Sequence, residues 1–230
     1  MKKQLLLLFT IWSFIATAQQ SYYSSLDFSK SGVALKNDLA TLITTTHTNF
    51  LTYTPDVWEA SKVTDINPSN SSEVLLVYGY AATGGTSRTR GVNNNGGDQG
   101  EWNREHVYPR SLGNPNLGFE GPGSDAHHLR PSDVGYNSQR GNKKFAAGSG
   151  NSGNVSGGWY PGDEWKGDVA RMMMYMYLRY DTRCLPSNVG IGDNSATPDD
   201  MIDLFLQWNA EDPVSTIEEQ RNNYHGNTSN

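Results

Sequence analysis

The chain has 230 residues, of which 36% are hydrophobic and 18% are charged, and its formal net charge at pH 7 is −6. This length suffices for one domain with a sizeable core, and the acidic balance argues against a polycation that coats nucleic acid. Cys184 is the single cysteine, which excludes an intrachain disulfide and a metal site built from several cysteines.

The first nineteen residues have the pattern of a secretory signal peptide. Two lysines precede an apolar run, and Ala16, Thr17 and Ala18 form a small-residue cleavage site. The run is too short for a comfortable membrane span. We therefore expect a signal peptide over residues 1–19, removed on export to the periplasm or outside the cell, and no membrane attachment of the mature chain. Residues 20–230 are expected to form a single domain that acts as a monomer.

Helical spacing of apolar residues recurs on both sides of a polar central region. It predicts helices over residues 29–53, 55–64, 168–180, 201–208 and 216–223. The sequence VLLVY within residues 73–80 predicts a buried strand, whereas the Gly-rich and Asn-rich residues 82–100 and 147–158 predict loops. His225, near the last helix, is expected to be solvated.

Residues 103–142 contain two polar motifs, NREHVYPRS and DAHHLRPSDVGYNSQRGN. Together they hold three of the five histidines, two carboxylates within two residues of a histidine, and four arginines. A hydrophobic core requires none of these groups, whereas a metal-assisted phosphodiester site requires most of them. Basic charge is also concentrated here, since residues 87–150 carry eight Lys and Arg against six Asp and Glu.

Local signals within this region predict two strands joined by a loop. Pro109 would end a strand over residues 101–107, because proline cannot donate to a ladder. Residues 110–124 are punctuated by Gly and Pro and predict the loop. Residues 126–130 are a plausible second strand.

A short helix is expected to follow the second strand. Ser132 is a suitable N-cap, residues 133–140 would form the helix, and Gly141 suits the position after its end. With the helical segments on either side, this order predicts an α+β domain in which a ββα unit is surrounded by helices.

The motifs REHVYPRS, D-x-HHLRPSD and N-S-x-RGN, in this order, resemble the bacterial endonuclease I family. These are exported, non-specific nucleases of the His-Me finger, or ββα-metal, superfamily. Further matches are WEASKVTD at 58–65, KGDVARMMMYMYLRY at 166–180 and LFLQWNAEDPVSTIEEQRN at 204–222. The resemblance implies a ββα-metal core and a secreted endonuclease that cuts DNA, and RNA as well, without reading sequence.

Hydrolysis of a phosphodiester requires a nucleophilic water, charge relief on the phosphoryl oxygens and help for the leaving oxygen. A neutral histidine can take the proton near pH 7, and one hard divalent cation on oxygen ligands can supply the rest. His106 beside Glu105 offers such a base and such a ligand, and Asn137 would add a second ligand oxygen. Adjacent strand residues point to opposite faces, so both neighbours can serve one site only if the strand ends or bends there.

By resemblance, His106 is the general base of a one-metal mechanism, and Glu105 and Asn137 are the metal ligands. The ion is expected to be one Mg²⁺ per site, with Mn²⁺ or Ca²⁺ as alternatives, and the products carry 5′-phosphates. Asn142 is a rival to Asn137, but residues five apart do not share a helix face.

An arginine should hold the phosphate, because its planar fork suits phosphate oxygens. Arg110, Arg130 and Arg140 are the candidates. Some family members place this arginine in an insertion that the present chain lacks, so the choice among the three stays open. The roles of His127 and His128 also stay open: one of them could orient the site or form a hydrogen bond within the core.

Two other classes compete with a nuclease. A zinc hydrolase of the His-Glu-x-x-His type is disfavoured, because Glu105 precedes His106 and no histidine follows four residues later. An exported, non-catalytic binding protein that retains the nuclease fold would account for the acidic net charge and the Gly-rich and Asn-rich loops.

Overall fold

The computed structural model describes residues 22–228, and the predicted signal peptide lies outside them. Helix and strand are mixed along the described chain, as the α+β prediction requires. The helices are α1 Gly32–Thr46, α2 Asp56–Thr64, α3 Val134–Arg140, α4 Lys166–Tyr180, α5 Pro186–Val189, α6 Asp203–Glu211 and α7 Thr216–Thr228. The predicted helices are thus confirmed, although α1 is shorter than expected and α7 longer. No helix within residues 22–228 is long and apolar enough to cross a membrane.

The strands form three small antiparallel sheets within the described chain. The first joins β1 Ile66–Asn67, β2 Asn70–Leu75 and β3 Thr89–Gly91; the second joins β4 Trp102–His106 and β5 Leu129–Asp133; the third joins β6 Gly153–Val155 and β7 Gly158–Tyr160. The loops predicted over 82–100 and 147–158 therefore contain short strands. Their polar composition hides these strands, because ladder hydrogen bonds join backbone groups and do not require apolar side chains.

The strand–loop–strand–helix order is present, with two corrections to its detail. The predicted strand over 126–130 is wrong at its start: Ala126–His128 form a 3₁₀ turn, and the side chain of Asp125 caps it by accepting a hydrogen bond from the His127 N–H at 2.9 Å. Ser132 is not the cap of α3, because it lies inside β5. Asp133 caps α3 instead, accepting from the Tyr136 N–H at 2.9 Å.

Pairing between β4 and β5 positions the polar motifs against each other. Glu105 lies opposite Arg130, and His106, the last residue of β4, lies opposite Leu129. The helix α3 then folds back and ends at Gly141, whose φ of +56° is a conformation that glycine adopts without a steric penalty.

The main hydrophobic cluster is centred on α4 and α6. Val169, Met172, Met173 and Met176 are buried on one face of α4, at the spacing expected for an amphipathic helix. Phe205 and Trp208 of α6 belong to the same cluster. The methionines therefore fill the core, as their spacing predicts, and Cys184 is buried and forms no disulfide.

A buried ion network ties this core to the strands. Arg130 of β5 is fully buried, pairs with Asp65 at the end of α2, and contacts Asp168 of α4 at 3.0 Å. Asp65 also pairs with Arg221 of α7. The second guanidinium nitrogen of Arg221 donates to the carbonyl of Ala126 at 2.7 Å. One carboxylate therefore joins α2, β5 and α7.

We expect Asp65→Ala to lower the free energy of unfolding by about 3–5 kcal/mol, because it leaves two buried guanidinium groups without their shared carboxylate. Urea unfolding followed by circular dichroism measures the change. A matched control is Asp38→Ala, which removes an exposed pair with Lys30 at 2.7 Å and should cost less than about 1 kcal/mol. Equal, small losses in both variants would contradict a structural role for the network.

Candidate active site

His106 is held at the end of β4 by a single hydrogen bond to the backbone. Its Nε2 lies 2.9 Å from the carbonyl oxygen of Gly123. A carbonyl oxygen can only accept a hydrogen bond, so Nε2 carries the hydrogen of the neutral ring. The lone pair is then on Nδ1, and this nitrogen is the one able to accept a proton.

The surroundings of His106 favour the neutral ring. Burial lowers the pKa of His106 well below its usual value, and the nearby His128, Arg110 and Arg104 lower it further when charged. The hydrogen bond to Gly123 raises the pKa but does not reverse the shift. His106 therefore remains unprotonated at neutral pH, which a general base requires.

The loop that presents the Gly123 carbonyl is itself fixed by His128. The Nε2 of His128 lies 2.7 Å from the carbonyl oxygen of Pro122, and its Nδ1 accepts from the Tyr108 N–H at 3.4 Å. Burial lowers the pKa of His128 to about 4, so the ring is neutral. A Cβ at Gly123 would lie 2.2 Å from the carbonyl oxygen of Gly118, which explains the glycine. His128 thus positions the loop and, through it, His106.

Glu105 faces the opposite side of β4, toward α3. One of its oxygens accepts from the Tyr78 hydroxyl at 3.1 Å and lies 3.2 Å from the Arg140 guanidinium. Burial raises the pKa of Glu105 to about 7, although Arg140 and Tyr78 both act to lower it. The carboxylate is therefore incompletely compensated by its protein neighbours.

Asn137 lies on the face of α3 that packs against the Glu105 side of β4. Its amide nitrogen donates to the side-chain oxygen of Asn103 at 2.7 Å. Asn103 and Glu105 share a face because they are two residues apart on one strand. Arg140, one turn after Asn137, contacts Glu105 directly. The structure thus brings the two predicted ligand residues to the same strand–helix interface.

The chemistry of this pair fits a hard divalent cation. A carboxylate and an amide both offer oxygen donors, which Mg²⁺, Mn²⁺ and Ca²⁺ prefer. Among residues 22–228 no group of three or more His, Cys, Asp or Glu could hold a metal ion. The predicted site contains only one carboxylate, that of Glu105, and one amide, that of Asn137. It therefore differs from a site built from several histidines or carboxylates.

The three candidate arginines lie in different environments. Arg130 is fully buried in the ion network, and Arg140 is fully buried and donates to the carbonyl of Val107 at 2.9 Å. Arg110 is only half-buried, and its guanidinium lies 3.8 Å from the ring centroid of Phe119. Arg110 is therefore the candidate best placed to meet a substrate, while the other two are engaged within the protein.

Sequence reasoning missed several residues around His106. Tyr53 stacks on the His106 ring with centroids 5.3 Å apart, and the Arg104 guanidinium lies 3.6 Å from the Tyr53 centroid. Alternation along β4 could have indicated Arg104, which is two residues from His106 and shares its face. No local signal identifies Tyr53 or Phe119, because they come from distant segments.

His127 belongs to a separate aromatic column. Its ring stacks on Tyr175 and on His225, with centroids 4.0 Å apart in both cases. The expectation that His225 is solvated is wrong: it is 3% exposed, and neither ring nitrogen has a hydrogen-bond partner. Stacking within a helical interface, which the sequence pattern does not reveal, buries it.

These features place a neutral histidine beside an acidic residue on a strand–strand–helix unit. The family model for Endonuclease I matches residues 31–229, and the chain belongs to that family. It is an enzyme that hydrolyses nucleic acid rather than an exported binding protein.

Two curated relatives cover most of the chain. An extracellular ribonuclease of Bacillus amyloliquefaciens is 41% identical over 213 residues, which are 88% of this chain and 70% of the relative. An extracellular ribonuclease of Bacillus subtilis (strain 168) is 41% identical over 212 residues, 88% of this chain and 69% of the relative. No solved structure gives a significant match.

The buried His225 generates a prediction about acid stability. Burial lowers the pKa of His225 well below its usual value, and positive charge on His127 or Arg221 lowers it further. Below about pH 6.5 the unfolded chain binds a proton that the folded protein does not, so the free energy of unfolding falls as pH falls, by at most about 1.4 kcal/mol per pH unit.

His225→Phe removes this proton and should keep the stacking. As the pH is lowered from about 7.5 to 5, we expect the free energy of unfolding of the variant to rise relative to that of the wild type. Urea unfolding across this range measures the difference, in which the titrations common to both proteins cancel. Parallel stability profiles would show that His225 does not titrate as a buried neutral ring.

Proposed function

We propose that this enzyme is a secreted, metal-dependent and non-specific endonuclease that hydrolyses DNA and RNA, built on a His-Me finger core. The observation that supports the proposal most strongly is the fixed tautomer of His106. Its Nε2–H is engaged by the Gly123 carbonyl, so the basic Nδ1 is left to take a proton from water.

His106 acts first as the proton acceptor. Its Nδ1 removes a proton from the attacking water, and the water oxygen forms a bond to phosphorus. The bond from phosphorus to the 3′ oxygen breaks, and the departing oxygen takes a proton from solvent water. The products carry a 5′-phosphate and a 3′-hydroxyl, and His106 later returns its proton to solvent. The carbonyl of Gly123 then stabilises the imidazolium, because Nε2–H donates to it more strongly when the ring is charged.

Glu105 and Asn137 would hold one Mg²⁺ ion, with Mn²⁺ or Ca²⁺ as substitutes. When bound, this ion supplies charge relief on the phosphoryl oxygens and assistance to the leaving oxygen. The incompletely compensated carboxylate of Glu105 supports this role. Tyr78 and Arg140 orient the carboxylate from the protein side, and Asn103 orients the Asn137 amide.

Arg110 is proposed to hold the scissile phosphate. Its half-buried guanidinium is close enough to His106 to lower the pKa of that ring. A phosphate between them could therefore pair with Arg110 while its attacking water contacts His106. Contacts of this type recognise the backbone rather than the bases. The substrate is therefore bound without strong sequence preference.

The names of the two relatives support secretion and action on RNA. Both are called extracellular ribonucleases, whereas the family name describes an endonuclease without specifying the sugar. Residues that contact phosphate and water do not distinguish ribose from deoxyribose, so we propose that both polymers are substrates. The mature chain is proposed to act as a monomeric single domain.

The direct test is turnover of supercoiled plasmid and of single-stranded RNA by wild type and His106→Ala. The wild type should cleave both, lose activity in EDTA and regain it with Mg²⁺. His106→Ala should lose about 10²-fold or more in kcat, the scale of a positioned general base, with little change in substrate affinity.

Two controls separate catalysis from folding and metal binding. Melting temperature, recorded on the same His106→Ala preparation, should fall only modestly, because the ring makes one hydrogen bond, to Gly123, and stacks on Tyr53. Glu105→Gln should instead require more Mg²⁺ for half-maximal activity. Near wild-type turnover by a folded His106→Ala protein would refute the proposed mechanism. So would an EDTA-treated wild type whose activity is restored by Zn²⁺ but not by Mg²⁺.

A further inference from the structure

Two arginines and three aromatic rings form a continuous row beside His106, here called the aromatic–arginine row. The Arg104 guanidinium lies 4.1 Å from the ring centroid of Trp58 and 3.6 Å from that of Tyr53. The Tyr53 and Phe119 centroids are 4.9 Å apart, and the Arg110 guanidinium lies 3.8 Å from Phe119. Each arginine of the row therefore lies against at least one aromatic ring, and Tyr53 and Phe119 contact each other directly.

The row is joined to the proposed catalytic base. The Tyr53 ring stacks on His106 at 5.3 Å with an interplanar angle of 25°. Arg104 donates to the carbonyl of Tyr53 and to the Thr54 hydroxyl, the latter at 3.0 Å, which fixes Tyr53 against the ring. A nucleotide bound at His106 would therefore lie next to this row.

The outer end of the row faces solvent. Phe119 is 51% exposed, although the residues just before it are held in place. Leu117, 1% exposed, donates its N–H to the Arg110 carbonyl at 3.0 Å. Arg183 donates to the carbonyl of Asn116 at 2.9 Å. A rigid loop thus keeps a large apolar ring at the surface, where core packing does not account for it.

We propose that the exposed ring of Phe119, supported from the protein side by Tyr53, forms a stacking subsite for an unpaired nucleobase that flanks the scissile phosphate. Exposed aromatic rings interleaved with arginines are the usual platform for single strands, because each base has a π-face and each phosphate a negative charge. Bases within an intact duplex have both faces covered and cannot use the platform. The subsite, which rests on the proposed function, gives the enzyme a preference for single-stranded DNA and RNA.

The test compares wild type, Phe119→Ala and Phe119→Trp on matched oligonucleotides. One short DNA strand with a single cleavable phosphodiester among nuclease-resistant linkages is used single-stranded, as a duplex, and single-stranded with abasic positions on both sides of that phosphodiester. Phe119→Ala should reduce kcat/KM on the single strand by about ten-fold, the scale of one base–aromatic stack, and Phe119→Trp should restore it. Cleavage of the duplex should fall clearly less than cleavage of the single strand, because the duplex loses only the support that Phe119 gives to Arg110 and no base stack.

The abasic strand isolates the stacking contact. Wild type should cleave it about ten-fold more slowly than the intact strand, whereas Phe119→Ala should treat the two alike. Phe28→Ala, which truncates a 66% exposed phenylalanine before α1, is the control for loss of an exposed ring. Equal losses on single strand and duplex, or an undiminished penalty for abasic positions in Phe119→Ala, would overturn the subsite.

Binding provides a readout that does not depend on catalysis. Fluorescence anisotropy in EDTA measures the affinity of each variant for a labelled single strand, and Phe119→Ala should bind about ten-fold more weakly than wild type. Equal affinities overturn the subsite even if the enzyme is active. A wild type that binds the single strand through Phe119 but cleaves neither polymer with Mg²⁺ would instead contradict the proposed function.

Discussion

The carboxylate of Asp65 between the buried guanidinium groups of Arg130 and Arg221 is the constraint on which the remaining architecture depends. It connects α2, β5 and α7, and through Arg130, which lies opposite Glu105 in the strand pair, it fixes β5 beside the site. Since β5 is the only strand paired with β4 in the described chain, the network also fixes the end of β4. The position of His106 follows from that end.

The site separates its functions between the two faces of β4. On one face, burial and neighbouring positive groups keep His106 neutral, and the Gly123 carbonyl selects its tautomer. On the other, burial raises the pKa of Glu105 to about 7, because Arg140 and Tyr78 offset the cost of burying its charge only in part. His106 requires surroundings that disfavour positive charge, whereas Glu105 requires surroundings that favour a cation. The strand satisfies both because adjacent residues face opposite sides and because β4 ends at His106.

The sequence predicted the parts of this arrangement that are local. The helical spacing of Val169, Met172, Met173 and Met176 predicted α4 and its buried face, and the motif order predicted the strand–strand–helix unit. Errors arose where two adjacent residues had the same propensity. Ser132 and Asp133 are both good N-caps, and only strand pairing decides between them.

Contacts between distant segments could not be predicted from local pattern. The burial of His225 depends on stacking with His127, and Tyr53 and Phe119 meet only after folding. The same limitation applies to the arginines, which have identical chemistry in the sequence. Burial separates Arg130 and Arg140 from Arg110, and burial is a property of the folded chain. The sequence therefore predicted the strand–strand–helix unit better than the contacts between distant segments around it.

The central claim is that His106 is a neutral imidazole whose Nε2 carries the hydrogen and whose Nδ1 is free to accept a proton from water. The most direct measurement is the pair of ¹⁵N chemical shifts of the His106 ring at neutral pH, assigned by comparison with His106→Ala. The account predicts a protonated Nε2 and an unprotonated Nδ1. A ring protonated on both nitrogens, or one with its hydrogen on Nδ1, would contradict the account.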